Sequence, residues 1–124
     1  TKNIKRRYAD MELLGYKKCS TCKAVEKILK SKGFEYTFRD ITEDKLSISE
    51  LKTMHKNSKL PLKKFFNTSG ILYREMELSK KLDTMDEEKQ FELLASDGKL
   101  VKRPILLVDG KIYVGAAVKK YLEE

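Results

Sequence analysis

The two cysteines of the chain, Cys19 and Cys22, are separated by two residues in the sequence Cys-Ser-Thr-Cys. They follow a short apolar run and precede an amphipathic helical pattern, so we expect them at a helix N-terminus. The unpaired N–H groups and the positive dipole end of a helix stabilise a thiolate there. Lys17, Lys18 and Lys23 add positive charge nearby. This arrangement predicts a redox-active site.

A zinc site is the alternative chemistry for two closely spaced cysteines. Structural zinc takes four protein ligands, usually cysteine and histidine. The chain contains no third cysteine and one histidine, His55, which the pattern places on a polar helical face. We therefore expect neither a metal nor a bound cofactor.

Composition favours a globular protein of one domain. The chain has 124 residues, of which 40% are hydrophobic and 37% charged. No apolar run approaches the roughly 20 residues that a membrane helix needs, so no membrane association is expected. Residues 1–10 are basic, but the apolar h-region of about 7–15 residues that a secretory signal needs does not follow them, so they are interpreted as an arm or a strand extension. A C-x-x-C pair without an export signal predicts a cytoplasmic location.

The formal net charge of +8 favours anionic partners. The lysines alternate with glutamate and aspartate, however, and lack the interleaved aromatic residues of a surface that stacks on bases. A solvated basic surface is the preferred interpretation. Direct nucleic-acid binding is not expected, whereas an anionic substrate is compatible with this charge.

The elements that position the cysteines begin with a β-α-β pattern. Residues 11–16 form an apolar run that predicts a strand. A helix is predicted from about Thr21, with Gly33 as its stop signal. Residues 34–41 alternate aromatic and β-branched side chains and predict a second strand.

Residues of about 45–98 carry helical patterns without a strand pattern and predict a helical insert. Ser47 and Glu50 form a capping box at the start of one helix, and Thr84 and Glu87 form a second box at the start of another. Shorter helical segments are predicted between them.

The strand pattern resumes at residues 104–108 and 111–114. Asp109-Gly110 between them is a strong signal for a type I′ hairpin turn. A closing helix follows Gly115. The sequence thus predicts an α/β, thioredoxin-like fold in the order β-α-β, helical insert, β-β-α, with a four-stranded mixed sheet in a single domain over residues 11–124.

The chain resembles the arsenate reductase-like group of the thioredoxin superfamily, which includes the Spx transcriptional regulators and reductases without an assigned substrate. The resemblance extends from Met11 onward and rests on YKKCSTCKA at 16–24, LPLKKFFNTSGILYRE at 60–75 and LVKRPILLVDGKIYVG at 100–115. The NTSG-x-x-YRE segment favours the reductase branch over the Spx regulators.

The resemblance implies roles for four residues. Cys19 matches the nucleophile, and Cys22 matches a second cysteine that can close an intramolecular disulfide. Pro104 matches the cis-proline beside the reactive sulfur, and Arg103 matches an arginine that binds the oxyanion in arsenate reductases.

The arsenate reductases use three arginines around the oxyanion, and Arg103 is the one with a counterpart here. Asn67 and Gly115 lie near the other two positions. Arsenate itself is therefore not the expected substrate. Arg74 is a candidate substitute anion ligand, and Asn67 is a candidate substrate-binding residue that a turn would equally explain.

The resemblance and the thiol chemistry together predict a cytoplasmic thiol-disulfide oxidoreductase. Its expected partners are a disulfide or oxyanion substrate and a thiol reductant: glutathione, another small thiol or thioredoxin. The alternative is a regulator resembling Spx, which would bind the α subunit of RNA polymerase and use the cysteines as a redox switch.

Overall fold

The computed structural model describes residues 11–124, so the predictions for residues 1–10 lie outside the described part. Four strands occur in this part: β1 (Met11–Gly15), β2 (Thr37–Asp40), β3 (Ile105–Val108) and β4 (Lys111–Val114). Its α-helices are α1 (Ser20–Ser31), α2 (Ile48–Ser58), α3 (Ile71–Glu75), α4 (Leu78–Lys81), α5 (Glu87–Ser96) and α6 (Ala116–Glu123). Short 3-10 turns cover Leu62–Phe65, Leu82–Thr84 and Gly98–Leu100.

The strands form one mixed sheet in the order β2-β1-β3-β4. β1 pairs with β2 in parallel and with β3 in antiparallel orientation, so Leu13 lies between Phe38 and Leu106. β3 and β4 are antiparallel neighbours. This sheet confirms the predicted thioredoxin-like α/β fold.

Residues 11–124 divide into two compact units: residues 11–40 with Arg103–Glu124, and Ile41–Lys102. The core of the first unit is built from β1, α1, β3 and α6. It contains Met11, Leu13, Val25, Leu29, Leu106, Val108, Val118 and Leu122, each at most 6% exposed. Burial of this apolar surface is the main stabilising term for the sheet and its two helices.

The end of α1 explains why β2 is shorter than predicted. Gly33 has a φ of 75°, and the amide of Phe34 donates a hydrogen bond to the carbonyl of Leu29 at 3.0 Å. Residues just after the helix are therefore used to cap it. The strand begins at Thr37 rather than at Phe34.

The hairpin between β3 and β4 agrees with its predicted turn. Asp109 has a φ of 49° and Gly110 a φ of 79°. A type I′ turn requires positive φ at both central residues, which Asp-Gly tolerates. The turn sets the register in which Val108 pairs with Lys111.

The second unit contains the helical segments between β2 and β3. The predicted capping box of α2 is confirmed, because Ser47 Oγ accepts from the amide of Glu50 at 3.0 Å and Glu50 Oε1 accepts from the amide of Ser47 at 2.9 Å. Phe65 and Phe66 are buried in this unit. An isolated antiparallel bridge joins Phe66 to Val101.

The second predicted capping box, at Thr84 and Glu87, is wrong. α5 begins after Asp86, whose carboxylate Oδ1 accepts from the amide of Lys89 at 2.8 Å. Thr84 belongs to the preceding 3-10 turn, and its hydroxyl donates to the carbonyl of Lys81 at 3.0 Å. The threonine is therefore used by the turn before the helix, and the aspartate caps the helix.

His55 is half-buried rather than on a fully polar face. Its ring makes edge-on contacts with Phe65 and Phe91, at centroid distances of 6.0 and 5.7 Å.

The helices within residues 11–124 do not include one with the length and apolar composition of a membrane span.

Candidate active site

Cys19 is the N-cap residue of α1. Its backbone is extended, with φ −84° and ψ 120°, and its sulfur accepts a hydrogen bond from the amide of Cys22 at 3.2 Å. A side chain at this position satisfies one of the N–H groups that a helix start leaves unpaired. The sulfur of Cys19 thus occupies the place of a capping oxygen, where partial positive charge favours a thiolate.

The loop between β1 and α1 is held at both of its ends. The amide of Cys19 donates to the carbonyl of Tyr16 at 3.2 Å. The amide of Lys17 donates to Asp40 Oδ2 at the end of β2, at 3.1 Å. Because β1 and β2 are parallel neighbours, these bonds attach the cysteine loop to the carboxyl edge of the sheet.

Arg103 is brought beside the cysteines by the start of β3. Its guanidinium is near enough to Cys19 to help to lower the pKa of that thiol, and it lies over the ring of Tyr16, 3.8 Å from the ring centroid. The peptide bond between Arg103 and Pro104 is cis, as the family resemblance implied. The carbonyl of Pro104 accepts from the amide of Gly115 at 2.8 Å.

The Nε of Arg103 is buried, and no protein group within residues 11–124 accepts its hydrogen. A buried donor without an acceptor is costly, so a substrate oxygen at this point would relieve that cost. Arginine is also the side chain best suited to planar oxyanions and carboxylates.

The environment lowers the pKa of the Cys19 thiol. Burial acts against ionisation, but hydrogen bonds from the thiol and amide of Cys22 and from Arg103 favour the thiolate. The positive charge of Arg103 acts in the same direction. Together the favourable contacts exceed the effect of burial, so Cys19 is the more acidic and more nucleophilic thiol of the pair.

The pKa of Cys22 is instead raised, to about 12. Burial is the main cause, and the hydrogen bond to Cys19 and the negative charge of Cys19 add to it. Cys22 is 1% exposed, whereas Cys19 is 9% exposed. Both cysteines are free in this structure. The pKa values of the two thiols are therefore shifted in opposite directions, and Cys19 is the more exposed of the two.

Gly15 is a site residue that the sequence analysis did not identify. A Cβ atom built at Gly15 would lie 2.6 Å from the sulfur and 3.2 Å from the Cβ of Cys22. Glycine is therefore required here because the Cys22 side chain occupies the space. Its position directly before the cysteine loop was the signal that could have been used.

Asn67 and Arg74 lie in the second unit. The Nδ2 of Asn67 donates to the carbonyl of Lys99 at 3.3 Å, and its carbonyl accepts from the amide of Gly70 at 3.0 Å. Arg74 Nη2 donates to the carbonyl of Ser69 at 3.4 Å. These are contacts of a folded turn. The substrate-binding roles of Asn67 and Arg74 stay predictions.

The part of the chain that the structure describes contains no group of three or more histidine, cysteine, aspartate or glutamate side chains able to hold a metal ion. Of the predicted site residues, the structure brings together Cys19, Cys22 and Arg103, which is followed by Pro104. Tyr16 and Gly15 also lie at this site and were not predicted as site residues. This set has the parts of a thiol nucleophile and a cationic partner.

The chain is similar to known proteins in sequence and in fold. The family model described as the ArsC family matches residues 14–123. Protein YusI of Bacillus subtilis is 49% identical over 100 residues, covering 81% of this chain and 85% of YusI. The global transcriptional regulator Spx of Staphylococcus epidermidis is 24% identical over 97 residues, covering 78% of this chain and 72% of Spx.

Among solved structures, a Bacteroides fragilis protein related to the ArsC family superposes with a TM-score of 0.85 at 45% identity, covering 92% of this chain and 96% of that one. The match over almost the whole chain confirms the resemblance inferred from the three sequence stretches. This chain belongs to the ArsC family, within its thioredoxin-like fold.

Proposed function

We propose that the protein is a thiol-dependent reductase in which Cys19 is the nucleophile and Cys22 the resolving thiol. The observation that carries the proposal is the capping position of the Cys19 sulfur, which receives a hydrogen bond from the Cys22 amide at 3.2 Å, with the Arg103 guanidinium helping to lower its pKa. A helix N-terminus and a guanidinium beside one sulfur are the features that make a cysteine reactive near neutral pH.

In the first step, the Cys19 thiolate attacks one sulfur of a disulfide substrate. A bond forms between Cys19 and that sulfur, the substrate S–S bond breaks, and the second sulfur leaves as a thiolate. In the second step, Cys22 loses its proton and attacks the Cys19 sulfur. The remaining substrate thiolate leaves and takes up a proton, and a Cys19–Cys22 disulfide remains.

The high pKa of Cys22 is compatible with this second step. Part of the rise comes from the hydrogen bond to Cys19 and from the negative charge of Cys19. A mixed disulfide carries no charge on the Cys19 sulfur, so both contributions vanish once the first step is complete. Cys22 thus becomes easier to ionise at the point where it must act.

An external thiol must then supply two electrons to restore the dithiol, because the chain has no third cysteine. Glutathione, another small thiol or thioredoxin has the required chemistry, and a reducing cytoplasm is the compartment that maintains such donors. Arsenate stays an unexpected substrate, since Asn67 and Gly115 lie near two of the positions where arginine is expected. The proposed substrate is a disulfide or an oxyanion.

The test uses hydroxyethyl disulfide as substrate and glutathione as reductant. The wild-type protein should turn over this disulfide and Cys19→Ser should not. Cys22→Ser, incubated with the disulfide in the absence of glutathione, should accumulate a mixed disulfide visible as an added mass. Turnover by Cys19→Ser at the wild-type rate would contradict the proposal. The same Cys22→Ser protein, used as a trap in a cell extract, would capture the physiological substrate.

A second candidate is a redox-sensing regulator, favoured by the relatives named as global transcriptional regulators and by the net charge of +8. In this function the same disulfide would switch binding to the α subunit of RNA polymerase. Binding of the purified α subunit that changes on oxidation of the cysteines, without disulfide turnover, would favour the regulator over the reductase.

A further inference from the structure

Tyr16 lies between the cysteine loop and Arg103 without a role in the thiol chemistry described above. Its ring centroid is 3.8 Å from the guanidinium carbon of Arg103, which is the distance of direct stacking. An aromatic face attracts a guanidinium because the ring carries negative charge above its plane. The ring is thus a contact surface for the cation that reaches Cys19.

The backbone of Tyr16 is fixed relative to both cysteines. Its carbonyl accepts from the amide of Cys19 at 3.2 Å, and its backbone helps to offset the rise in the pKa of Cys22. The backbone from which the ring projects is therefore held beside the cysteines. The ring itself contacts Arg103, so Tyr16 links the cysteine loop to this arginine.

Arg103 needs such a contact. It is not fully buried, but its Nε is buried and finds no acceptor within residues 11–124. The guanidinium stabilises the thiolate form of Cys19. A long side chain held only by that attraction would leave the sulfur whenever another rotamer became favourable, because arginine has a large rotamer entropy.

We propose that Tyr16 is a positioning residue whose ring holds the Arg103 guanidinium against the Cys19 sulfur. The inference rests on the proposed thiol function, because it concerns the reactivity of the same cysteine. Tyr16 acts through Arg103 and does not itself need to touch the substrate. Its aromatic face, rather than its hydroxyl, is the part that matters.

The experiment measures how the alkylation rate of Cys19 by iodoacetamide depends on pH in the reduced full-length protein. Peptide mass spectrometry assigns the modified cysteine. Tyr16→Leu removes the ring and Tyr16→Phe keeps it. Below the midpoint of the wild-type profile, we expect Tyr16→Leu to lower the rate about threefold, as loss of a modest cation–π contact implies. Tyr16→Phe should keep a profile close to that of the wild type.

A double-mutant cycle separates positioning from general damage to the loop. Arg103→Met should shift the profile in the same direction as Tyr16→Leu, and Tyr16→Leu should add nothing further in the Arg103→Met background. Additive shifts, or an unchanged profile in Tyr16→Leu alone, would overturn the inference. If the leucine variant does not fold, as judged by circular dichroism, Tyr16→Met takes its place in the same cycle.

This measurement needs no turnover. A wild-type protein that fails to reduce hydroxyethyl disulfide, while the cycle behaves as expected, would overturn the proposed reductase and leave the role of Tyr16 standing. If the protein reduces the disulfide but the shifts of the two variants are additive, the reductase proposal stands and the positioning role of Tyr16 is wrong.

Discussion

The amide of Cys22 donates a hydrogen bond to the sulfur of Cys19 at 3.2 Å, so the second cysteine stabilises the thiolate of the first. For Cys22, burial is the main cause of a raised pKa, and the thiolate at Cys19 adds to it because it disfavours a second negative charge. The pair thus contains one thiol that is more acidic than usual and one that stays protonated.

At neutral pH we expect iodoacetamide to modify Cys19 and leave Cys22 unmodified. The thiolate is the reactive form, and its fraction rises as pH rises through the pKa. Since the pKa of Cys19 is lowered, its rate profile should have a midpoint below the value of about 8.5 for an ordinary thiol. Peptide mass spectrometry across a pH series tests this. A faster reaction at Cys22 would contradict the assignment of roles.

Cys22 should make the protein less stable in alkali. Its pKa is about 12 in the folded protein, so the thiol stays neutral there while it ionises in the unfolded chain. Its contribution is fully present below the unfolded pKa of about 8.5 and is lost as pH rises above it. Under reducing conditions, Cys22→Ala should flatten this alkaline loss of the free energy of unfolding in urea titrations. Parallel curves for the two proteins would show the prediction to be wrong.

Gly15→Ala should destabilise the first unit by about 1–3 kcal/mol, the usual cost of overpacking a core. The added Cβ would lie 2.6 Å from the sulfur of Cys22. Urea unfolding measures the cost. In a Cys22→Ala background the sulfur is absent, so the cost of Gly15→Ala should fall. An equal cost in both backgrounds would mean that another contact is responsible.

Gly98→Ala should cost about 3 kcal/mol or more, because its Cβ would lie 2.0 Å from the carbonyl oxygen of Ile41. A backbone atom cannot rotate away. Gly70→Ala is the matched control in the same unit. Its Cβ would lie 2.6 Å from the side-chain Nδ2 of Asn67, and a side chain can change its rotamer. Thermal unfolding should show the larger loss for Gly98→Ala, and a reversed order would contradict this explanation.

Asp86→Ala should lower the free energy of unfolding by about 1 kcal/mol through loss of the α5 cap. Thr84→Ala is the control, since its hydroxyl bonds to the preceding turn and not to α5. The two variants remove side-chain oxygens two residues apart on an exposed surface. Equal losses for the two would indicate that Thr84 contributes to the start of α5 after all.

Several features could be predicted from the sequence because their causes are local. The turn at Asp109 and Gly110 needs only two residues that tolerate positive φ. The capping box of Ser47 and Glu50 closes within one helical turn. The same holds for Cys19 at the start of α1, since an apolar strand, a short loop and an amphipathic helix follow one another directly.

Local signals failed where two capping residues competed. Thr84 and Asp86 both stand before α5, and both are residue types that cap helices. The choice between them depends on the 3-10 turn at Leu82–Thr84, which takes up the threonine hydroxyl. The predicted start of β2 was wrong for a similar reason, because the amide of Phe34 donates its hydrogen bond to the end of α1.

The sequence alone placed two cysteines at a helix N-terminus and predicted a thioredoxin-like order of strands and helices, because these features follow from local patterns. The tertiary structure decided which partners those cysteines have. Arg103 reaches Cys19, its guanidinium rests on Tyr16, and Gly15 makes room for Cys22. These contacts join β1, the cysteine loop and the start of β3. They arise only when the sheet brings distant segments together, because no local periodicity encodes the distance between them.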